Sequence, residues 1–304
     1  MTTVVLACGP RAADLVGALL ADAVTLPAVP GRRDLRLLDD LAAAHLPVDD
    51  TPGLDEIAAA PDVPHQGAPQ FAPQRPDRPV RVVVVGADAA LSAVVTRLMR
   101  IDAMWISVGF VPVVAEGETS VVAQNWQLST VTGGGTGPDG GPSVAALNFA
   151  LTAPVRPTAV VRDDAGIVTL GSAEIFRTGA ELVGEIIVDS QTLVANTASR
   201  AWDGRPGAFG ARLVPTVDAP GLAATRLVTP SVWDADAAGR TPRRRLFRRP
   251  AEIGGVDPDA VLTGRALQAG GVELTVVRDG VVHPRSVPKV TFYRHLRDGQ
   301  FVRR

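Results

Sequence analysis

Val82-Val83-Val84-Val85-Gly86-Ala87-Asp88-Ala89-Ala90-Leu91 is the stretch on which the fold turns. Four successive valines suit a strand buried on both faces, as in a parallel sheet, because neither face carries a polar position. Gly86 to Asp88 then reads as a sharp turn, and Leu91, Val94, Val95 and Leu98 recur at helical spacing up to about Arg100. A strand that turns into a helix N-terminus offers free N–H donors and a positive dipole end, which suits anionic groups. Alanine at 87, 89 and 90 narrows that offer. An alanine forced into a left-handed backbone costs roughly 1–2 kcal/mol, and its methyl occupies space that a phosphate oxygen would use.

Upstream, residues 2–7 read as a strand and Pro10 to Asp22 as a helix. A second helix is expected from Arg33 to His45, with Leu35, Leu38, Leu41 and Ala42 on one face. Six prolines between Pro61 and Pro79 mark a linker or surface loop. Downstream, 104–113 reads as the next strand, 118–128 as a helix, and Ser143 to Leu151 as a short helix after the glycine-rich run 133–141. Beyond Arg156, β-branched runs at 158–162, 167–170, 183–188, 213–217, 272–277 and 287–293 alternate with Asp, Gly and Pro turns. The expected division is an α/β domain with a parallel sheet and helices over 1–150, then a mostly β, sandwich-like domain over 151–304.

A chain of 304 residues, 46% apolar with a net charge of −2, is long enough for two cores and is not a globally basic nucleic-acid binder. Cys8 is the only cysteine, which excludes an intramolecular disulfide and a Cys-rich zinc site. Met104 to Ala115, the most apolar segment, is interrupted by Ser107, Gly109 and Pro112 and is too short to span a bilayer. With no basic stretch before the first apolar run, the chain reads as cytoplasmic. Lys289 is the only lysine and lies far from the glycine-rich turns, so a Walker-type phosphate loop is excluded.

A glycine–aspartate turn in an α/β half, followed by a β-rich half with a late Asp-Gly hairpin, resembles the diacylglycerol kinase, sphingosine kinase and NAD kinase superfamily. The Gly-Gly-Asp-Gly-Thr signature of that superfamily matches Gly86-Ala87-Asp88-Ala89-Ala90, where the first glycine and the aspartate survive. Its Pro-x-Gly-Thr-x-Asn-Asp motif falls on Pro112 to Val121, where only Pro112 and Gly117 match and the Asn-Asp pair is absent. Its Asp-Gly-Glu motif matches Asp279-Gly280-Val281 without the glutamate.

The resemblance covers most of residues 80–304 and implies a lipid-kinase-like architecture of two domains with a cleft between them. It implies ATP and Mg²⁺ as cofactors, Asp88 and Asp279 as catalytic carboxylates, and Asp88 as metal ligand. Gly86, Ala87, Ala89 and Gly117 would form the cofactor-binding backbone. The departures imply phosphoryl transfer slowed by several orders of magnitude, since that reaction rests on positioning and electrostatics. Three functions stay open. One is a divergent member that binds a nucleotide or lipid-like ligand with weak or no kinase activity. A second is an active ATP-dependent lipid kinase. The third is an interaction protein whose cleft is filled by Ala87, Ala89 and Glu118.

Each candidate residue also has a structural role open to it. Asp88 suits the N-cap of its own helix, 88–100. Asp279-Gly280, flanked by Val276-Val277 and Val281-Val282, is a strong hairpin signal in its own right. The cluster Arg243, Arg244, Arg245, Arg248 and Arg249, with Leu246 and Phe247 inside it, is either a solvated loop or an anchor on an anionic membrane surface, which would make the protein peripheral to a membrane. The run 133–141 is a surface loop, or a lid if a ligand orders it. Thr291 to Asp298 either closes a cleft or forms a terminal strand tied down by Phe292 and Leu296. His45, His65, His283 and His295 are too scattered to argue a metal site, and no nucleophile-elbow spacing is present. A homodimer through edge strands is compatible with the sequence; a nucleic-acid partner is not expected.

Overall fold

The computed structural model describes residues 1–17, 19–20, 22–45, 67–74, 76, 78–132, 141–198, 200, 205–235 and 253–304. The glycine-rich run up to residue 140, His65, the start of the proline-rich segment and the arginine cluster at 243–249 lie outside the described residues.

The first sheet is built on four parallel strands, β1 (Thr2–Cys8), β2 (Val24–Leu26), β3 (Val80–Gly86) and β4 (Ser107–Val114), ordered β2-β1-β3-β4. The helices are α1 (Pro10–Gly17), α2 (Arg36–Ala44), α3 (Asp88–Arg100), α4 (Val121–Trp126) and α5 (Pro142–Thr152). Val82 to Val85 have no exposed surface, and the two sides of β3 explain why all four are apolar. Val82 and Val84 pack into one core with Leu91, Val94, Val95 and Leu98 of α3. Val83 and Val85 pack into the other with Leu15 and Val16 of α1 and Leu147 and Ala150 of α5. A strand covered by helices on both faces has no solvent side to keep polar.

Several elements are shorter than their sequence patterns, for local reasons. α1 stops at Gly17 rather than Asp22, where the N–H groups of Leu19 and Leu20 both turn back to the Val16 carbonyl. α2 starts at Arg36 rather than Arg33, because Asp34 accepts a bond from Gly31 N–H (2.8 Å) and holds the preceding turn. The pattern over 118–128 contracts to α4: Ser120 caps its start and Gln127, left-handed at φ 55°, ends it.

The second sheet has eleven strands among the described residues, mostly antiparallel. Its spine is the thirteen-residue strand Ala266–Arg278, which pairs with Ala173–Arg177, Gly184–Val188 and Val287–Arg294. Ile175, Ile186, Leu213, Leu274, Val276 and Phe292 lie in its core. A parallel α/β domain and a mostly antiparallel β region are thus both present, as the sequence pattern implies.

The run 158–162 does not form one strand. Val155–Thr158 joins the first sheet and Val161–Asp163 the second, so the chain crosses between sheets at Ala159-Val160. It crosses back at the end. Gly299–Val302 enters the first sheet beside β4, parallel to it, and Phe301 stacks on Trp126 with ring centroids 4.7 Å apart. The two sheets therefore do not divide at one point in the sequence. Of the two anchors expected in 291–298, Phe292 is fully buried whereas Leu296 is 64% exposed, so Phe292 holds that run without it. Among the described residues no helix is long and apolar enough to cross a membrane.

Candidate ligand cleft at the domain junction

Asp88 does not cap its own helix. Ala87 stands at the N-cap of α3 in extended conformation with no side-chain bond, and Asp88 is the first helical residue. Its carboxylate reaches across to α4 instead. Oδ1 accepts from the Ser120 hydroxyl, and Oδ2 accepts from the N–H groups of Val121 (2.8 Å) and Val122 (3.2 Å). Ser120 in turn accepts from Ala123 N–H (2.9 Å), so two side chains satisfy the first turn of a helix of only six residues. Burial pushes the Asp88 carboxyl above its ordinary range, and the bonds from Ser120, Val122 and Val121 hold it down in part.

Asp279 forms the tip of a tight hairpin: Val277 pairs with Val282 and Arg278 with Val281. Asp279 and Gly280 both have left-handed backbones, φ 48° and 81°, as a two-residue type I′ turn requires. The hairpin signal in the sequence is thus real, and the carboxylate has a further task. Oδ1 accepts from the N–H groups of Gly171 (2.9 Å) and Ser172 (2.8 Å). Oδ2 accepts from the Ser92 hydroxyl (2.5 Å) and from Leu170 N–H (3.3 Å). Ser92 belongs to α3, so Asp279 clasps the β hairpin to the α/β domain. Burial pushes Asp279 up from 3.8 to about 6; hydrogen bonds from Ser92 and Ser172 oppose this, and the charge of Asp88 adds to it.

Gly171 stands between the two carboxylates. A methyl built there would lie 2.8 Å from Asp279 Oδ1 and 2.8 Å from Asp88 Oδ2. The structure thus brings together Asp88 and Asp279, which are 191 positions apart in the sequence, around a residue that the sequence did not single out. Gly86 is required by packing: a methyl there would meet Cys8 Cβ at 3.0 Å and Ala90 Cβ at 3.3 Å. Gly117 lies in an exposed turn with φ 80° and nothing within 4 Å of such a methyl. Cys8 is a buried free thiol.

The donors do not fit a Mg²⁺ site. Hydrogen-bond donors of the protein already face each carboxylate oxygen of the pair, whereas Mg²⁺ needs open oxygens in near-octahedral array. Among the described residues no group of three His, Cys, Asp or Glu could hold a metal ion.

Beside this junction lies an open cavity of about 320 Å³. α3 forms one wall, with Ala89, Ser92, Ala93 and Thr96 in line, and the hairpin through Asp279, Val281 and Val282 forms the other. Ser92, Thr96 and Arg100, spaced by four, also bond the segment that enters the second sheet: Thr96 Oγ1 accepts from Val168 N–H (2.9 Å) and Arg100 donates to the Ala165 carbonyl (3.2 Å). That hydroxyl stripe went unnoticed in the sequence because the apolar face of the same helix dominates the pattern. Its i, i+4, i+8 spacing was the available signal. Ala87, Ala89 and Glu118 do not fill this cavity: Ala89 lines it, and Ala87 and Glu118 are exposed outside it.

Four arginines line the cavity, Arg32, Arg97, Arg100 and Arg278. Arg97 pairs with Asp39, and Arg278 with Asp163, whose side chain is fully buried. Each of these two arginines also keeps a buried Nε with no hydrogen-bond partner among the described residues. Arg100 bonds only a neutral carbonyl among the described residues, and Arg32 is exposed with no ion pair there. Among the described residues Asp279 is the only carboxylate of the lining, and with Arg97 and Arg278 paired the excess positive charge of the wall rests on Arg32 and Arg100.

No family model and no curated protein matches the sequence. Solved structures do match the fold. The whole chain superposes on 97% of a protein assigned as a diacylglycerol kinase from Bacillus anthracis str. Sterne, with TM-score 0.51 and 10% identity. A second diacylglycerol kinase structure from that organism gives TM-score 0.49 at 11% identity, again over 100% of this chain and 97% of the other. An NAD kinase from Archaeoglobus fulgidus in complex with ATP gives 0.43 at 12%, over 100% and 94%. At such identity the likeness is one of fold: the chain shares the two-domain architecture of the diacylglycerol kinase structure that it matches at TM-score 0.51.

Proposed function

We propose that this chain is a divergent diacylglycerol-kinase-like protein that binds an anionic nucleotide or lipid-like ligand in the junction cavity, with weak or no phosphoryl transfer. One observation carries the reading. Asp88 and Asp279, the two carboxylates that a kinase of this fold would use, spend their oxygens on seven protein donors, Asp88 capping α4 and Asp279 holding the domains together. A base must reach the proton that it takes, and a metal ligand must present a free oxygen. The Asp88 oxygens face α4 rather than the cavity. The excess of arginine along the wall supports an anionic ligand.

An active ATP-dependent lipid kinase is the second reading. It is favoured by the position of Asp279 on the cavity wall with its carboxyl pushed up to about 6, near the range of a general base. Calorimetry with ATP, with and without Mg²⁺, together with transfer of labelled phosphate from ATP to diacylglycerol, separates the two. The proposal expects ligand binding that Mg²⁺ hardly changes and no transfer above background. Robust transfer that disappears in Asp279→Asn, with the fold retained, would overturn it in favour of the kinase.

A further inference from the structure

After Met1, the two most exposed large apolar side chains among the described residues are Phe71, at 66%, and Leu296, at 64%. They lie far apart in the sequence, yet both line one cavity of about 320 Å³ that shares no residue with the junction cavity. Exposed apolar side chains scattered singly need no explanation, but two that converge on one hollow do. Neither is exposed on a loose backbone. Gln70 N–H donates to Asp298 Oδ2 (2.8 Å), and the Gln70 carbonyl accepts from Gln300 Nε2 (3.3 Å). Ala72 packs against the core that Val82 and Val84 share with α3, so Phe71 is fixed on both sides. Leu296 follows His295, whose N–H bonds the Val160 carbonyl (2.7 Å), and shortly precedes Asp298, which forms a buried pair with Arg294 (2.9 Å).

The rest of the lining sets the chemistry of an occupant. Met104 and Trp105, in the loop between α3 and β4, add buried apolar surface to that of Phe71 and Leu296. Trp105 is only 9% exposed, yet its indole N–H has no hydrogen-bond partner among the described residues. An indole so far buried normally finds an acceptor. The charges of the lining are all paired: Asp298 with Arg294, and Asp102 with Arg297 (3.3 Å). No net charge is left to draw in an ion. Aromatic and apolar walls with a single directional donor are what a small-molecule site needs, and the volume suffices.

We propose that this cavity is a second ligand site, for a neutral aromatic molecule of one or two rings that carries a carbonyl or ring-nitrogen acceptor for the Trp105 N–H. The rings cover Phe71 and Leu296, and the acceptor satisfies the indole. Because the site is already ordered by its backbone bonds, little is lost in shaping it around the ligand. Its walls come from residues 70–74, the α3–β4 loop and the crossover 296–298. A bound molecule therefore ties the returning crossover to the α/β domain.

The test is a titration of the full chain with prodan, a neutral naphthyl ketone whose emission shifts to the blue in an apolar site. Ethylnaphthalene, which lacks the acceptor, and anilinonaphthalene sulfonate, which is anionic, are compared by displacement. Prodan is expected to bind saturably and to be displaced by neither ATP nor the sulfonate. Phe71→Ser with Leu296→Ser should weaken it about tenfold and leave the melting temperature unchanged, since both side chains are exposed. Trp105→Phe keeps an aromatic ring and removes the donor. It should weaken prodan about fivefold and leave ethylnaphthalene within about twofold. Sedimentation of the wild type should show the same mass with and without prodan.

Prodan binding that the Phe71 and Leu296 variant leaves intact, or that ATP competes away, would overturn the site. Equal loss of both naphthalenes in Trp105→Phe would overturn the role of the indole donor. A sulfonate that binds as tightly as prodan would overturn the neutral class of ligand. If the wild type forms a dimer that Phe71→Ser dissolves, the hollow is filled by a second copy and the small-molecule assignment falls. Failure of prodan to bind at its solubility limit overturns the inference too, and leaves the reading of the junction cavity standing, because the two cavities share no residue.

Discussion

Asp88 and Asp279 begin alike: each is an aspartate next to a turn that a glycine helps to form, and each is flanked by valine-rich strand. Their side chains end in different kinds of work. The Asp88 carboxylate crosses a short distance within the α/β domain and caps α4, a helix too short to hold its first turn unaided. The Asp279 carboxylate crosses from the β region to Ser92 on α3, and also gathers the loop 170–172. One finishes a local element and the other joins two domains. The difference teaches that an aspartate in a turn announces a turn, whereas its energetic weight depends on which donors the fold brings to it.

That contrast can be broken experimentally, beginning where the most is at stake. Asp279→Ala strands the Ser92 hydroxyl and the N–H groups of Gly171 and Ser172, leaves Leu170 N–H only its bond to Ser92 Oγ (3.1 Å), and places alanine at φ 48°. We expect a loss of about 4 kcal/mol in a denaturant titration, since each buried unsatisfied donor costs about 1–3 kcal/mol and some recruit water. Asp279→Asn keeps the turn, which accepts asparagine, and should recover part of this loss; a variant no better than alanine would mean that the turn is irrelevant to the effect. Gly171→Ala drives a methyl against both carboxylates at 2.8 Å and should cost about 3 kcal/mol. Because it disturbs both aspartates, its effect should add poorly to that of Asp279→Asn in a double-mutant cycle.

Asp88→Ala should cost less, about 2 kcal/mol at most, because it removes a cap and leaves the domain clasp intact. Hydrogen exchange should then rise in 121–126 and hardly change in 168–172. Equal exposure of both segments would erase the distinction drawn between the two aspartates.

A separate effect is one of pH. Asp279 is raised in the folded protein from 3.8 to about 6, so the folded state holds its proton more tightly than the unfolded chain does. The stabilisation from this group is complete below 3.8 and is lost as pH rises through about 6. Melting temperature followed from about pH 4 to pH 7 should carry a downward component in the wild type that Asp279→Asn lacks. A parallel pH profile for the two proteins would contradict the assignment to Asp279.

Much of the frame could be read from residue pattern. The valine run announced a doubly covered strand because four adjacent apolar side chains leave no wet face, and Val82 to Val85 have none. Asp-Gly announced the hairpin through its backbone preference, and the β-branched runs beyond 156 announced an antiparallel region. The candidate site was legible only as two separate aspartates. Ser92, Ser120 and Gly171 were not visible because their importance lies in contacts across 187, 32 and 108 positions respectively. No local rule of spacing or propensity encodes such separations.

The sequence by itself determined the kinds of elements, their order and the turn at each aspartate, because periodicity and backbone preference act over a few residues. Only the tertiary structure decided that Gly299–Val302 returns to the first sheet and that Asp88 caps a neighbour instead of its own helix. It also decided that arginines from a loop, a helix and a hairpin line one cavity. These depend on long-range closure, in which a side chain's partner is chosen by how helices and sheets pack, and so by the free energy of the whole chain rather than of any segment.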